Sequence, residues 1–128
     1  MVMRVSIIGA TGYAGAELLR LLSGHPKTEI VHITSESYTD RRISEVYPHL
    51  TGLCDLESLE NLAGIGADSD FIFIGLPAGY AMEIGRKLSH QPVRIIDLGA
   101  DYRFRNSAIY EKWYKVKHTH PEAQRVYG

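Results

Sequence analysis

Gly9-Ala10-Thr11-Gly12-Tyr13-Ala14-Gly15 follows the apolar run Val5-Ser6-Ile7-Ile8 and opens a segment with apolar residues at Ala14, Leu18, Leu21 and Leu22. The order is strand, glycine-rich turn, helix. A helix start leaves backbone N–H groups without partners, and the aligned peptide dipoles add partial positive charge there. Glycines in front of it let a diphosphate approach both. Gly9 suits the turn, Gly12 the close approach, and Gly15 the packing of helix on strand. The glycines stand at every third position, so the G-x-G-x-x-G pattern of dinucleotide sites is only partly matched.

Working outward, the helix is expected over Tyr13 to Ser23, with Thr11 as N-cap, Gly24 as its end and Pro26 preventing resumption. Glu29 to Thr34 reads as a second strand. Ser35 to Leu53 reads as a loop with one helical turn near Ser44. Leu56, Leu59 and Leu62 share a helical face and suggest a short helix. Asp70-Phe71-Ile72-Phe73-Ile74 is apolar on both faces, as in strands covered on both sides. A helix after Gly79 would turn Ala81, Ile84, Gly85 and Leu88 inward, and Pro92 breaks it. Val93 to Leu98 reads as another buried strand. Alternating strands and helices predict an α/β, Rossmann-type parallel sheet with helices on both faces. The tail from Asn106 to Gly128 carries aromatics among charges and no second large apolar pattern.

At 128 residues, with 45% hydrophobic and 23% charged, the composition is that of one soluble globular domain. A formal net charge of −1 gives no general attraction to nucleic acid or to an anionic membrane, so neither is an expected partner. No apolar run reaches the ~20 residues of a membrane span. The start, Met1-Val2-Met3-Arg4, lacks the features of a signal peptide. Cys54 is the single cysteine, which precludes a disulfide within the chain. A cytoplasmic location is the expectation.

Ligands of open parallel sheets bind beyond the carboxyl ends of the strands. That rule selects four loops: 9–15, 35–42, 75–79 and 99–103. In the second, Glu36 favours a ribose hydroxyl and NAD, while Ser35, Ser37 and the Arg41-Arg42 pair favour a ribose phosphate. The balance favours NADP, and a solvated arginine pair is the alternative. Leu76, Pro77, Ala78 and Gly79 form either a plain turn or a wall for the nicotinamide half. Arg103 either clamps a phosphate or carboxylate through two parallel hydrogen bonds, or Asp101 and Arg103 pair or cap a helix. His118 and His120 alternate, but no third ligand stands at metal-site spacing, and a surface loop is the better reading. Cys54 has Asp55 beside it and no helix start behind it, which argues against a reactive thiolate.

These residues together resemble the N-acetyl-gamma-glutamyl-phosphate reductases of the semialdehyde dehydrogenase superfamily. The likeness runs through Gly9 to Leu18, Ser44-Glu45-Val46-Tyr47-Pro48-His49-Leu50 and Leu76-Pro77-Ala78-Gly79. It continues in Ile96-Asp97-Leu98-Gly99-Ala100-Asp101-Tyr102-Arg103, Tyr110-Glu111-Lys112-Trp113-Tyr114, His120-Pro121-Glu122 and Val126-Tyr127-Gly128. It thus covers essentially the whole chain. The glycine turn is shared more widely, including with aspartate-semialdehyde dehydrogenases. The resemblance implies NADPH-dependent reduction of an acyl phosphate to an aldehyde in arginine biosynthesis, with phosphate released. A cysteine nucleophile, an acid/base histidine and a second, dimer-forming domain would lie beyond Gly128. The 128 residues would then be the cofactor domain of a longer, homo-oligomeric enzyme, inactive alone and without a catalytic residue of their own. It further implies that Thr11, Gly12, Tyr13 and Ala14 meet the diphosphate, Ser35 and Ser37 lie near the adenosine ribose or its phosphate, Leu76 to Gly79 face the nicotinamide, and Arg103 lies near the substrate phosphate. Two positions depart from the family pattern: Ala78, often histidine there, and Gly99, more often serine. A reductase of an aspartyl or aminoadipyl phosphate, or a nucleotide-binding module without catalysis, is the alternative.

Overall fold

In the computed structural model, which describes residues 1–59 and 64–126, five parallel strands form one sheet in the order β3-β2-β1-β4-β5. They are β1 (Met3–Ile8), β2 (Thr28–Thr34), β3 (Ser58–Leu59), β4 (Phe71–Ile74) and β5 (Arg94–Asp97). The helices are α1 (Tyr13–Ser23), α2 (Ile43–Val46), α3 (Ile65–Asp68), α4 (Ala81–Leu88) and α5 (Ser107–Tyr114), with 3-10 turns at Pro48–Leu50 and Pro121–Val126. α1 has the expected bounds and ends at Gly24, whose N–H donates to the Leu22 carbonyl. The helical turn expected near Ser44 is α2.

Successive residues of a strand face opposite sides, and the core divides accordingly. Ile7 and Ile33 pack with Leu19 of α1, Ile43 of α2 and Leu50. Ile8, Ile72 and Ile74 pack on the other side with Ile65 of α3 and with Ala81 and Leu88 of α4. Helices therefore cover both faces. A third cluster joins Met82 of α4 to Ala100, Tyr102 and Tyr110 of α5.

Four expectations need correction. Leu56 to Leu62 is not a helix where described: Ser58–Leu59 pairs with Ile33 and Thr34 as β3, and residues 60–63 lie outside the described residues. β5 is not a buried strand. It stands at the sheet edge, with Ile96 38% and Leu98 47% exposed, because α1 packs over β1 and β2 and leaves this side of β5 bare. The lack of a second large apolar pattern does not keep the tail out of the core: Tyr110 is fully buried in the third cluster, joined there by Tyr114. Finally, α4 buries Met82 as well as Ala81, Gly85 and Leu88, with Ile84 half-buried, because the tail supplies a second packing surface beside the sheet. Tyr127 and Gly128 lie outside the described residues. No helix among the described residues is long and apolar enough to cross a membrane.

Candidate functional site

The glycine turn joins the carboxyl end of β1 to α1. Gly9 has φ +82°, and a Cβ there would come within 2.5 Å of the Gly75 carbonyl oxygen. A Cβ at Gly15 would overlap the Gly9 carbonyl oxygen and lie 2.7 Å from Ala10 Cα. Gly12 is different. A Cβ there would meet nothing nearer than the Gly9 oxygen at 3.6 Å. The protein's own packing needs glycine at 9 and 15 but not at 12. Gly12, rather than Thr11, is the N-cap of α1, and no side chain caps the helix. The first turn carries no acidic residue, and Tyr13 is 95% exposed. The amides at this helix start face an open cradle that an anion can enter.

Thr11 is withheld from capping because its hydroxyl lies 2.7 Å from Ser35 Oγ. Ser35 is buried and also accepts the Tyr38 N–H at 3.1 Å. Its side chain serves to tie the turn to the loop after β2. Three more bonds fix the turn. Ala10 N–H donates to the Thr34 carbonyl (3.0 Å), Gly9 N–H to Thr34 Oγ1 (3.3 Å), and the Tyr47 hydroxyl to the Thr11 carbonyl (2.6 Å). Sequence reasoning did not single out Thr34 or Tyr47 as supports. The signal available was Tyr47 within the quoted 44–50 segment.

Beyond Ser35 the loop opens outward. Ser37 and Arg41 are exposed. Arg42 forms an ion pair with Asp55, whereas Arg41 has no ion pair among the described residues. The two neighbouring arginines are therefore unlike: one is held, the other is available to a ligand.

The Leu76–Gly79 segment follows β4, and its start touches the glycine turn through Gly75 and Leu76. Gly79 has φ +99°. Its N–H donates to both carboxylate oxygens of Asp101, at 3.0 and 3.1 Å. The same carboxylate accepts Met82 N–H at 3.0 Å and the Tyr110 hydroxyl at 2.7 Å. Asp101 is fully buried. It caps the start of α4 from 20 residues downstream and does not pair with Arg103. Arg103 is exposed, with its guanidinium 4.7 Å from the Phe104 ring centre and Nη2 donating to the Tyr114 hydroxyl at 3.3 Å. At the end of β5, Asp97 Oδ1 accepts Gly99 N–H at 2.8 Å, and burial pushes this carboxyl above its usual range despite that bond.

The expectation of a surface loop at His118 and His120 is overturned: both are buried. His118 Nε2 donates to the Asp101 carbonyl, and its Nδ1 accepts the His120 N–H at 3.1 Å. His120 Nδ1 lies 2.8 Å from the Tyr102 hydroxyl, which donates to the Met82 carbonyl at 3.0 Å. The histidines are structural pins between the tail and α4. Their short spacing lets one imidazole accept from the other's backbone.

The family model described as semialdehyde dehydrogenase, NAD binding domain, matches residues 4–125. The chain belongs to this family. Curated relatives include N-acetyl-gamma-glutamyl-phosphate reductases from Pelotomaculum thermopropionicum, 49% identical over 100% of this chain and 38% of that protein, and from Moorella thermoacetica, 46% identical over 98% and 37%. The chain spans a little over a third of the length of these relatives. Among solved structures, an aspartate semialdehyde dehydrogenase from Candida albicans with NADP aligns with a TM-score of 0.71 at 23% identity, covering 84% of this chain and 32% of that one. That likeness places the semialdehyde dehydrogenase NAD-binding domain in the Rossmann-like class expected of its sequence.

In this NAD-binding domain Cys54 lies away from the four loops, in the core beside α1 and β2, and burial pushes its thiol up. The tyrosines of the third cluster carry a pH signature. Burial, reinforced at Tyr102 by the Asp97 and Asp101 charges and at Tyr110 by its bond to Asp101, raises both well above the usual tyrosine range. The folded state thus holds these protons more tightly than the unfolded chain. Their contribution to stability is complete below about pH 10, the unfolded value, and declines as pH rises from there toward the folded values. In an alkaline titration followed at 295 nm, two of the eight tyrosines are expected to ionise only as the protein unfolds. Ionisation of all eight before any loss of helical signal would contradict the buried cluster.

Proposed function

We propose that residues 1–128 are the NADP-binding domain of a longer two-domain reductase, which reduces N-acetyl-gamma-glutamyl phosphate to its semialdehyde and releases phosphate. The carrying observation is the open cradle at Gly12, facing an α1 start that no side chain caps. The named relatives supply the substrate, a small acyl phosphate.

In this reading Gly9 and Gly15 shape the turn, while Gly12 admits the coenzyme diphosphate to the amides of Tyr13 and Ala14. Thr11 and Ser35, bonded to each other, hold the turn open beside the diphosphate and the adenosine ribose, and Ser37 and Arg41 stand at the ribose phosphate. Leu76, Pro77, Ala78 and Gly79 form the wall on the nicotinamide side, shaped by Asp101 from behind. Arg103 faces the acyl phosphate and takes up charge as phosphate departs. The bound coenzyme supplies hydride. The carbon-attacking nucleophile belongs to the remainder of the enzyme.

Calorimetric titration tests this. The chain is expected to bind NADPH more tightly than NADH. Arg41→Ala should weaken NADPH roughly 10- to 100-fold, as loss of a charge-assisted bond of about 1.5–3 kcal/mol implies, with little change for NADH. Arg42→Ala should have the smaller effect, since Asp55 already holds that side chain. Equal affinities for the two coenzymes would remove the assignment of Ser37 and Arg41.

A further inference from the structure

We infer that Tyr114 is a positioning residue for Arg103, setting its guanidinium for an incoming oxyanion. The inference rests on the reading of Arg103 as the group that meets the substrate phosphate. Arginine on an exposed loop ordinarily gives up considerable rotamer entropy on binding an anion. Here the side chain is already held on two sides. The Phe104 ring lies beneath the guanidinium at 4.7 Å, and the Tyr114 hydroxyl accepts from Nη2 at 3.3 Å. A guanidinium offers five N–H donors, so the bond to Tyr114 leaves others for a phosphate.

What makes Tyr114 more than a passing contact is its own anchorage. Its ring stacks on Tyr110 with centres 5.1 Å apart and planes 21° apart. Tyr110 is fully buried, and its hydroxyl donates to Asp101, the residue that fixes Gly79. α5 thus carries two tyrosines, four residues apart and on one face. One reaches the wall segment through Asp101 and the other reaches Arg103. The helix sets the wall and the arginine relative to each other.

The test is NMR of the Arg103 side-chain Nε–H in the full chain, assigned with Arg103→Lys. Inorganic phosphate is the probe, and Tyr114→Phe keeps the ring stack while removing the hydroxyl. The wild-type Nε–H should be ordered without ligand, by its heteronuclear NOE, and should shift on phosphate titration. Tyr114→Phe should lose that order and bind phosphate at least fivefold more weakly, with backbone amide shifts outside α5 and residues 99–105 unchanged. Phe104→Leu, which removes the ring beneath the guanidinium, should act in the same direction. A disordered wild-type Arg103, or equal order and affinity in Tyr114→Phe, overturns the positioning role alone. An ordered wild-type Arg103 that ignores phosphate overturns the substrate-anion reading and the proposal with it.

Discussion

Gly15→Ala is expected to destabilise the protein by about 3 kcal/mol, at the upper end of ordinary overpacking. The new methyl would overlap the Gly9 carbonyl oxygen and stand 2.7 Å from Ala10 Cα. Both neighbours are backbone, and both are pinned: Gly9 and Ala10 donate to Thr34, at its hydroxyl and its carbonyl. Neither can swing aside as a flexible side chain could. Gly12→Ala is the informative contrast. Its φ of −72° suits any residue, and its nearest own atom would be 3.6 Å away. Removing glycine's freedom in the unfolded chain roughly offsets alanine's poorer capping, so stability should change by less than about 1 kcal/mol. The methyl would nevertheless stand in the cradle, and NADPH affinity should fall at least tenfold. Urea unfolding followed by circular dichroism separates the two variants, and calorimetry reads the second. Equal destabilisation by both would mean that all three glycines serve the fold, and the cradle would lose its main support.

The two variants also show what a sequence can and cannot say here. The spacing of Gly9, Gly12 and Gly15 on a strand–helix junction was legible because strand and helix have different periods, and only a short turn joins them. It could not separate glycines demanded by packing from one left open, since at Gly9 that depends on Gly75 and Leu76, more than 60 residues away, and at Gly15 on how the turn folds back over Gly9 and Ala10. Thr11 illustrates the same limit. Its type and place suit an N-cap, but Ser35 competes for the hydroxyl and wins it. β5 was misjudged because apolar composition reports what a strand could bury, whereas its place at the sheet edge decides what is buried. Within the Arg41-Arg42 pair, only the position of Asp55 shows which side chain is engaged. His118 and His120 were legible as a pair but not as buried, because their partners are backbone atoms of Asp101, Met82 and the pair itself, reached directly or through Tyr102.

Asp101→Ala should cost still more, about 3–5 kcal/mol, because it strands three donors at once in a buried region. Gly79 N–H, Met82 N–H and the Tyr110 hydroxyl all end on those two oxygens. A loss of that size threatens the whole fold, so Asp101→Asn is the sharper experiment. The amide has nearly the same shape, but one of its two positions presents N–H groups where the native oxygen accepts. The Tyr110 hydroxyl can rotate to accept from an amide N–H. With the amide nitrogen on the Tyr110 side, the remaining oxygen still accepts Met82 N–H, whereas Gly79 N–H keeps one of its two acceptors and meets a donor in place of the other. The strain should therefore concentrate at Gly79, held at φ +99°. Hydrogen exchange reads this directly. In the native protein the Gly79 and Met82 amides should be protected, and in Asp101→Asn the Gly79 amide should exchange at least tenfold faster while Met82 keeps its protection. NADPH affinity should fall in the same variant, because the wall no longer rests in its ligand-ready shape. Unchanged protection of the Gly79 amide would show that the turn holds itself, with Asp101 contributing only to the packing of α5.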